Sequence, residues 1–301
     1  MRIAFAGTPD VAVPVLDALV SSGHEIAFVI TRPDAPAGRG RVLTPSPVSL
    51  SAQEHNIECF KTTDLVSLTA QLAEVDCVVV VAFGAMVPSN LLSVPKHGWI
   101  NVHFSLLPHW RGAAPVQNAI KAGDDVTGVS AFQIDAGLDT GPVLGSIATS
   151  IRAGETSGEL LDRLAIEGAA LMVATLSALE SGNIQAVPQP TFGISLAPKI
   201  SKDDARVNWQ LPALAIERHI RAMTPEPGAW TMVGEQRIKL APVSLATQVI
   251  HLAPGEVVKI ENQILVGTAS HAVVLAEVTQ AGRNQVDAMQ WFSNQSDVTF
   301  E

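Results

Sequence analysis

The stretch "RIAFAGTPDVAVPVLDALVSSGHEIAFVITR" (residues 2–32) contains a strand, a helix and a second strand. Its ends, "RIAFAG" (2–7) and "EIAFVITR" (25–32), are short apolar runs that are typical of strands. The segment between them carries apolar residues at spacings of three and four, as amphipathic helices do. Pro14 lies near the start of this helix, where proline is tolerated. The pattern predicts the first unit of a parallel sheet.

The same alternation continues through the first 180 residues. Further strands are predicted for "DCVVVVAF" (76–83), "WINVHF" (99–104) and "GVSAFQI" (128–134), and helical patterns occur at 63–74 and 158–182. Strands that alternate with helices indicate an α/β fold with a Rossmann-like, doubly wound and mostly parallel sheet.

The pattern changes after residue 183. Residues 183–209 are rich in proline and show little periodicity, which is typical of a linker. A helical pattern follows at 211–223, and short alternating runs begin at Trp230 and favour a small β-barrel or sandwich. We therefore expect a Rossmann-like domain at 1–183, a linker at 184–202 and a C-terminal β-barrel domain at 203–301.

Composition limits the classes of function. The chain has 301 residues, of which 47% are hydrophobic and 16% charged, so large buried cores are expected. Neither a long apolar run nor a signal peptide is evident, and the two cysteines are too few for a disulfide framework, so we expect a cytoplasmic protein and no membrane partner. The net charge of −10 disfavours nucleic-acid binding in general. The acidic excess lies mostly in the first two thirds, however, which leaves the last third open to RNA contact.

Polar side chains follow two of the predicted strands. Asn101 and His103 lie at the end of one strand, and Asp135 and Asp139 follow another. Ligands in open α/β sheets bind beyond the carboxyl ends of strands, and alternation places residues 101 and 103 on the same face. One cleft could thus hold an amide, an imidazole and a carboxylate. The alternatives are a structural histidine and a turn aspartate at position 139.

Two kinds of catalytic centre find no support in the sequence. The nucleophile motif GxSxG is absent, and no pair of histidines has the spacing of zinc ligands. The segment 31–48 is instead notable for three arginines, Arg32, Arg39 and Arg41, beside two glycines. A long loop without secondary structure is usually either functional or disordered, and both interpretations stay open on the sequence alone.

The stretch "NVHFSLLPHWRGAAP", followed by "DAGLDTGPV", resembles the signature of the folate-dependent formyltransferase family. The opening "RIAFAGTPDVA", the segment 31–48 and "PEPGAW" are similar to the branch of that family that acts on initiator methionyl-tRNA. The resemblance covers nearly the whole chain and is looser beyond residue 235. The chain departs from the family pattern at Phe104, where a small residue is usual.

The resemblance implies a site and its substrates. Asn101, His103 and Asp139 would be the catalytic residues, and the cofactor-binding edge would be Ser105, Leu106, Leu107 and Pro108. The formyl donor would be 10-formyltetrahydrofolate, with no metal, and the acceptor would be the α-amino group of methionine on initiator tRNA. We expect the enzyme to be a monomer.

The resemblance also implies a tRNA-binding surface. The segment 31–48 would lie against the acceptor stem, with Arg39 as its main contact, and the C-terminal barrel would resemble an oligonucleotide-binding fold. The tRNA-binding residues would be Arg32, Arg39, Arg41, Lys199, Lys202 and Arg206, with Arg218 and Arg221 as further phosphate contacts.

Three alternatives remain at this point. One is a small-molecule formyltransferase or a formyltetrahydrofolate hydrolase. Another is a nucleotide-binding oxidoreductase, although "AGTPDVA" lacks the further glycines of the dinucleotide fingerprint. The third is an RNA-binding protein without catalytic activity.

Overall fold

The strand–helix–strand unit predicted at the start of the chain is confirmed. The structure, a computed structural model, describes residues 1–37, 40–248, 251–293, 295 and 298–301. The first elements are β1 (Arg2–Gly7), α1 (Val13–Val20) and β2 (Glu25–Thr31). β1 and β2 pair in parallel, and α1 lies in the crossover connection that parallel strands need.

A seven-stranded sheet is built around β1. Its other strands are β5 (Cys59–Lys61), β6 (Cys77–Val81), β7 (Trp99–His103), β9 (Val126–Gln133) and β10 (Val143–Ser150). The order across the sheet is β10-β9-β7-β6-β1-β2-β5. The pairs from β7 to β5 are parallel, whereas β9 runs antiparallel to both β7 and β10. The predicted mostly parallel, Rossmann-like sheet is therefore confirmed.

Short strands and helices complete the first two thirds of the chain. The remaining strands there are β3 (Ala35–Ala37), β4 (Val42–Thr44) and β8 (Arg111–Gly112). The helices are α2 (Pro47–Glu54), α3 (Thr69–Leu72), α4 (Pro115–Ala122) and α5 (Ser157–Glu180).

Several of these elements differ from the sequence predictions. Neither β5 nor β10 was predicted. β5 is only three residues long, too short for an alternation of apolar and polar residues to be recognised, and β10 is an edge strand of small and polar residues. The segment 31–48, expected to lack secondary structure, contains the antiparallel pair β3–β4. It also includes the start of α2, where the Ser46 hydroxyl accepts a hydrogen bond from the Ser49 N–H and Pro47 follows. A serine cap followed by proline is a typical helix start, so the sequence did contain this signal.

The core of the first unit packs on the parallel strands. It includes Phe28 on β2, Leu72 on α3 and Trp99 on β7, all with at most 4% of their surface exposed. The Trp99 indole N–H donates to the Leu91 carbonyl, 2.9 Å away, so its burial leaves no polar atom unsatisfied. Burying a side chain of this size stabilises the fold by about 1.5–3 kcal/mol. This packing fixes β7, which carries two of the candidate site residues.

The second unit is largely antiparallel. It contains α6 (Ala213–Ala222) and α7 (Ala288–Phe292) and two four-stranded sheets. One sheet has the order β12 (Trp230–Val233), β13 (Gln236–Leu240), β18 (Glu277–Gln280) and β19 (Gln285–Asp287). The other has the order β14 (Ser244–Leu245), β17 (Val273–Leu275), β16 (Gln263–Val266) and β15 (Val257–Ile260). The predicted small barrel-like domain of short antiparallel strands is confirmed.

Contacts between Cα atoms divide the chain into two units whose bounds interleave. The first comprises Met1–Gly112, Val126–Ser150 and Leu161–Leu196, and the second Ala113–Asp125, Ile151–Leu160 and Ala197–Glu301. The short strand β11 (Leu196–Ala197), which pairs with β8, falls at the last boundary. Within the described ranges, no helix has the length and apolar character that crossing a membrane would require.

Candidate active site

Two polar side chains lie on one face of β7. Asn101 pairs with Phe132 of β9, and His103 pairs with Ser130, which places all four side chains on the same face of the sheet. The rings of His103 and Phe132 meet edge to face with centroids 6.2 Å apart. His103 is buried, whereas Asn101 is partly exposed. Alternation along β7 thus brings the amide and the imidazole together, as the sequence predicted.

The candidate carboxylate reaches this face through the loop 134–142. Because β9 runs antiparallel to β7, Gln133 at its end pairs with Ile100, near the start of β7. The loop then folds back along the strand, so that Asp139 Oδ2 lies 3.7 Å from His103 Nδ1. The site is therefore on the sheet face over β7, covered by this loop, and it combines residues 101, 103 and 139.

The two ring nitrogens of His103 have different partners. Nε2 lies 2.8 Å from the Trp110 carbonyl oxygen, which can only accept, so Nε2 carries a proton. Nδ1, the nitrogen that faces Asp139, is then the basic atom of the neutral ring. Burial lowers the pKa of His103, while the Asp139 carboxylate and the Trp110 carbonyl act in the opposite direction. The ring is thus neutral near pH 7 and has a carboxylate beside its free nitrogen.

Asp139 is held by the backbone as well as by its neighbours. Its Oδ2 accepts a hydrogen bond of 2.8 Å from the Gly112 N–H. Its own φ is +51°, a left-handed conformation that aspartate tolerates better than most residues. The turn is closed by Gly141, where a Cβ would lie 1.7 Å from the Gln133 carbonyl oxygen. Only glycine fits there, so the turn that presents Asp139 depends on it.

A cavity of about 340 Å³ opens beside Asn101. Its lining comes from the end of β6, the residues that follow it, β7, β9 and the loop 134–142: Val80, Ala82, Phe83, Gly84, Ala85, Met86, Val87, Ser89, Asn101, Phe132, Ile134, Asp135, Ala136, Gly137, Leu138 and Asp139. The volume falls in the range of small-molecule sites. The Asn101 amide has no hydrogen-bond partner within the described part of the chain, so it is available to a ligand.

The predicted cofactor edge, Ser105, Leu106, Leu107 and Pro108, forms a turn beside this cavity's strands. The Ser130 hydroxyl donates to the Ser105 carbonyl and accepts from the Leu107 N–H, and Leu106 packs against Gly128 of β9. These four residues are not among those that line the cavity at Asn101. Phe104, which departs from the family pattern, is buried near Gly168 of α5.

Two groups of site residues were missed by the sequence predictions. The first is the segment 82–87, where Ala82 and Gly84 have positive φ as the chain leaves β6. The sequence signal for this segment was its position directly after a parallel strand, because ligands in α/β sheets bind beyond the carboxyl ends of strands. The second is Gln189, whose amide contacts the Asp139 turn from 50 residues further along the chain. No sequence pattern pointed to that contact.

The predicted tRNA-binding residues are largely exposed. Arg32 and Arg41 lie in the first unit, and Arg32 is near Gly84 of the cavity lining. Arg39 lies outside the described residues. Lys199, Lys202 and Arg206 lie in the second unit, and the guanidinium of Arg206 is over the Trp230 ring at 5.6 Å.

Further arginines of the second unit have defined positions. Arg237, which the sequence predictions omitted, lies over the Trp230 ring at 3.8 Å. Arg221 donates to the Glu155 carbonyl, and Arg218 packs against Gly123 at the end of α4. Among the described residues, no group of three or more His, Cys, Asp or Glu side chains is arranged to hold a metal ion.

Comparison with protein families gives two matches that together span most of the chain. Residues 1–176 match the model described as formyl transferase, and residues 199–296 match the model described as formyl transferase, C-terminal domain. The chain is 52% identical over 298 residues to the methionyl-tRNA formyltransferase of Arthrobacter sp. (strain FB24), covering 98% of this chain and 97% of that protein. It is 50% identical over 297 residues to the protein of the same name from Streptomyces coelicolor, covering 97% and 96%.

Solved structures share the fold at lower identity. A sugar 3N-formyl transferase, WlaRD, solved with dTDP and 5-N-formyl-THF, is similar with a TM-score of 0.68 and 17% identity over 94% of this chain and 99% of that one. A phosphoribosylglycinamide formyltransferase from Anaplasma phagocytophilum is similar with a TM-score of 0.52 and 24% identity over 65% of this chain and 97% of that one. The second structure thus corresponds to only part of this chain.

Proposed function

We propose a function from one premise: the chain belongs to the methionyl-tRNA formyltransferase family. We infer that it transfers the formyl group of 10-formyltetrahydrofolate to the α-amino group of methionine on initiator tRNA. The observation that carries the proposal is the arrangement of three side chains: Asn101 and Asp139 line one cavity, His103 lies beside Asp139, and the Asn101 amide is unpartnered within the described residues. The reaction would take place in the cytoplasm, where translation uses the product.

Asn101 is proposed to stabilise the oxygen of the reacting formyl group. Attack by the amine on the formyl carbon moves negative charge onto that oxygen, and a fixed amide N–H is a suitable donor to it. Asn101 lies on a packed central strand and lines the cavity, so its amide is positioned before the substrate arrives. Preorganisation of this kind is what makes such donors effective.

His103 and Asp139 are proposed to receive the proton that the amine loses. Neutral His103 has its lone pair on Nδ1, and a proton taken there would be stabilised by the Asp139 carboxylate 3.7 Å away. The protonated ring then has an N–H at Nδ1 that can donate to the intermediate. When the intermediate collapses, the bond between the formyl carbon and N10 breaks, and N10 takes the proton that His103 Nδ1 received from the amine, which returns His103 to its neutral form. The amine is itself the nucleophile, so this chemistry needs no metal and no covalent enzyme intermediate.

The cavity at Asn101 is proposed to hold the folate ring system. Its apolar members Phe83, Val87 and Ile134 provide faces for a flat ring, and Asp135 and Asp139 provide acceptors for its N–H groups. The turn Ser105–Pro108 would support this pocket through Ser130 and β9. The similar sugar 3N-formyl transferase solved with 5-N-formyl-THF supports a folate co-substrate.

Exposed cations are proposed to bind the tRNA. Arg32, Arg39 and Arg41 would contact the acceptor end, and Lys199, Lys202 and Arg206 the phosphate backbone. Arg237 joins this proposal because it shares the Trp230 ring with Arg206. Both guanidinium groups belong to exposed residues, and arginine suits phosphate contacts.

A substrate comparison tests the proposal. The purified protein is incubated with 10-formyltetrahydrofolate and charged initiator tRNA, an amino-sugar nucleotide, glycinamide ribonucleotide or water alone as acceptor. We expect rapid formylation of the charged tRNA and little reaction with the others. Preferential formylation of a small amine, or hydrolysis of the formyl donor without an acceptor, would contradict the proposal.

A further inference from the structure

Gln189 makes four hydrogen bonds, two to the Asp139 turn and two to the Arg111 side chain. Its Nε2 donates to the carbonyl oxygens of Asp139 and Gly141, each at 2.8 Å. Its Oε1 accepts from Arg111 Nε at 3.1 Å and from the terminal nitrogen Nη2 at 2.6 Å. A glutamine side chain has two N–H donors and one carbonyl acceptor with two lone pairs. Every one of them is therefore used.

These bonds close a ring around the candidate carboxylate. Asp139 Oδ2 accepts from the Gly112 N–H, and Gly112 is the neighbour of Arg111 on β8. Gln189 connects the Arg111 side chain back to the Asp139 carbonyl. Side chain and backbone of Asp139 are thus both tied to the same short strand, one directly and one through Gln189.

The segment that carries Gln189 also holds Trp110, whose carbonyl is the second partner of His103. The Ser195 hydroxyl accepts from the Trp110 N–H at 2.9 Å, and the Ser195 carbonyl accepts from the Arg111 N–H at 2.9 Å. Trp110 has a φ of +58°, and its carbonyl is the group that accepts from His103 Nε2. Residues 189–195 therefore hold both groups that face the two nitrogens of His103.

We propose that Gln189 is a positioning residue for formyl transfer, which holds the Asp139 turn against β8 so that the carboxylate stays beside His103. The inference rests on the proposed function, because it assigns Gln189 a role in that reaction. Asp139 sits at positive φ, and a conformation of this kind persists only where several contacts fix it. Gln189 is half-buried and fully hydrogen-bonded, as expected of a side chain that holds a turn in place.

Two variants distinguish the hydrogen bonds from Arg111 to Gln189 from those that Gln189 donates to the Asp139 turn. Gln189→Ala removes all four bonds. Gln189→Glu keeps an acceptor for Arg111 and adds an opposite charge, but it removes both donors to the Asp139 turn. Gln185→Ala is the matched control, because Gln185 is exposed and makes no hydrogen bond within the described part of the chain.

The measurement is the first-turnover rate of formyl transfer, together with KM for each substrate and the thermal unfolding midpoint. We expect both Gln189 variants to lose about 10- to 100-fold in rate, the scale of a small misplacement of a reacting group, with KM and the midpoint nearly unchanged. Gln185→Ala should match the parent protein.

The outcomes distinguish failure of this inference from failure of the proposed function on which it rests. If the parent protein formylates charged tRNA but Gln189→Glu keeps its rate, the inference fails and the function stands. Loss of folding in both variants would also overturn it, since the segment would then stabilise the fold rather than the site. If the parent protein shows no transfer, the proposed function itself fails.

Discussion

Replacing Asp139 by Asn removes a charge from the site while leaving its shape. The Asn oxygen can still accept from the Gly112 N–H, so the turn is expected to persist. What is lost is the attraction between the carboxylate and protonated His103, whose atoms are 3.7 Å apart. At an effective dielectric constant of about 20, a unit charge pair at this distance interacts by about 4 kcal/mol. Asp139 is partly exposed, so solvent screening reduces this to about 2–4 kcal/mol, or roughly 30- to 10³-fold in rate.

The same substitution has a signature in the pH profile. Burial lowers the pKa of His103 and Asp139 opposes that effect, so removing the carboxylate lowers the pKa further. The reaction requires neutral His103, and the rate therefore falls as the pH drops through that pKa. In Asp139→Asn the acidic limb of the profile should move to lower pH.

The assay is the first-turnover rate of formyl transfer across a pH series, with circular dichroism to check the fold. Asp64→Asn is the control, because Asp64 is exposed, does not line the cavity, and its carboxylate accepts from the Val66 N–H within its own turn. It should retain most of the activity. Near-full activity in Asp139→Asn, or an acidic limb that stays in place, would contradict this role of Asp139.

Three further predictions follow from the site and the fold. Asn101→Ala should reduce the first-turnover rate by about 10²- to 10³-fold while folate still binds, as expected for a lost transition-state donor. A fall in folate affinity as large as the fall in rate, measured by calorimetry, would argue against that role. Gly141→Ala should destabilise the protein by about 1–3 kcal/mol or more, because its Cβ would clash with the Gln133 carbonyl. Thermal unfolding checks this against Gly23→Ala, where a Cβ meets no atom within 4 Å; equal midpoints would contradict it. Lys202→Ala should lower the slope of log tRNA affinity against log salt by about 1, with Lys96→Ala as control; an unchanged slope would remove Lys202 from the interface.

Local periodicity explains which parts of the fold the sequence predicts. β1, α1 and β2 are long enough to show their apolar spacing, and β7 presents Asn101 and His103 on one face by alternation alone. β5 is too short to show a pattern, and β10 is an edge strand whose small and polar residues resemble a loop.

The rest of the site depends on contacts that no local pattern encodes. Asp139 reaches His103 because the loop after β9 folds back along β7, which follows from β9 being antiparallel. The Trp110 carbonyl that fixes the proton on His103 Nε2 is a backbone group, and its position depends on a turn with positive φ. Gln189 lies in a proline-rich segment predicted to be only a linker, and its partners are far away in the sequence.

The most direct test of the central claim is a crystal structure with a formylated tetrahydrofolate that does not react. We expect the folate ring to occupy the cavity beside Asn101, between the segment that follows β6 and the loop 134–142. The formyl oxygen should lie about 3 Å from the Asn101 amide nitrogen, on the side of the carbon that His103 and Asp139 face. A folate bound elsewhere, or a formyl group that points away from Asn101, would contradict it.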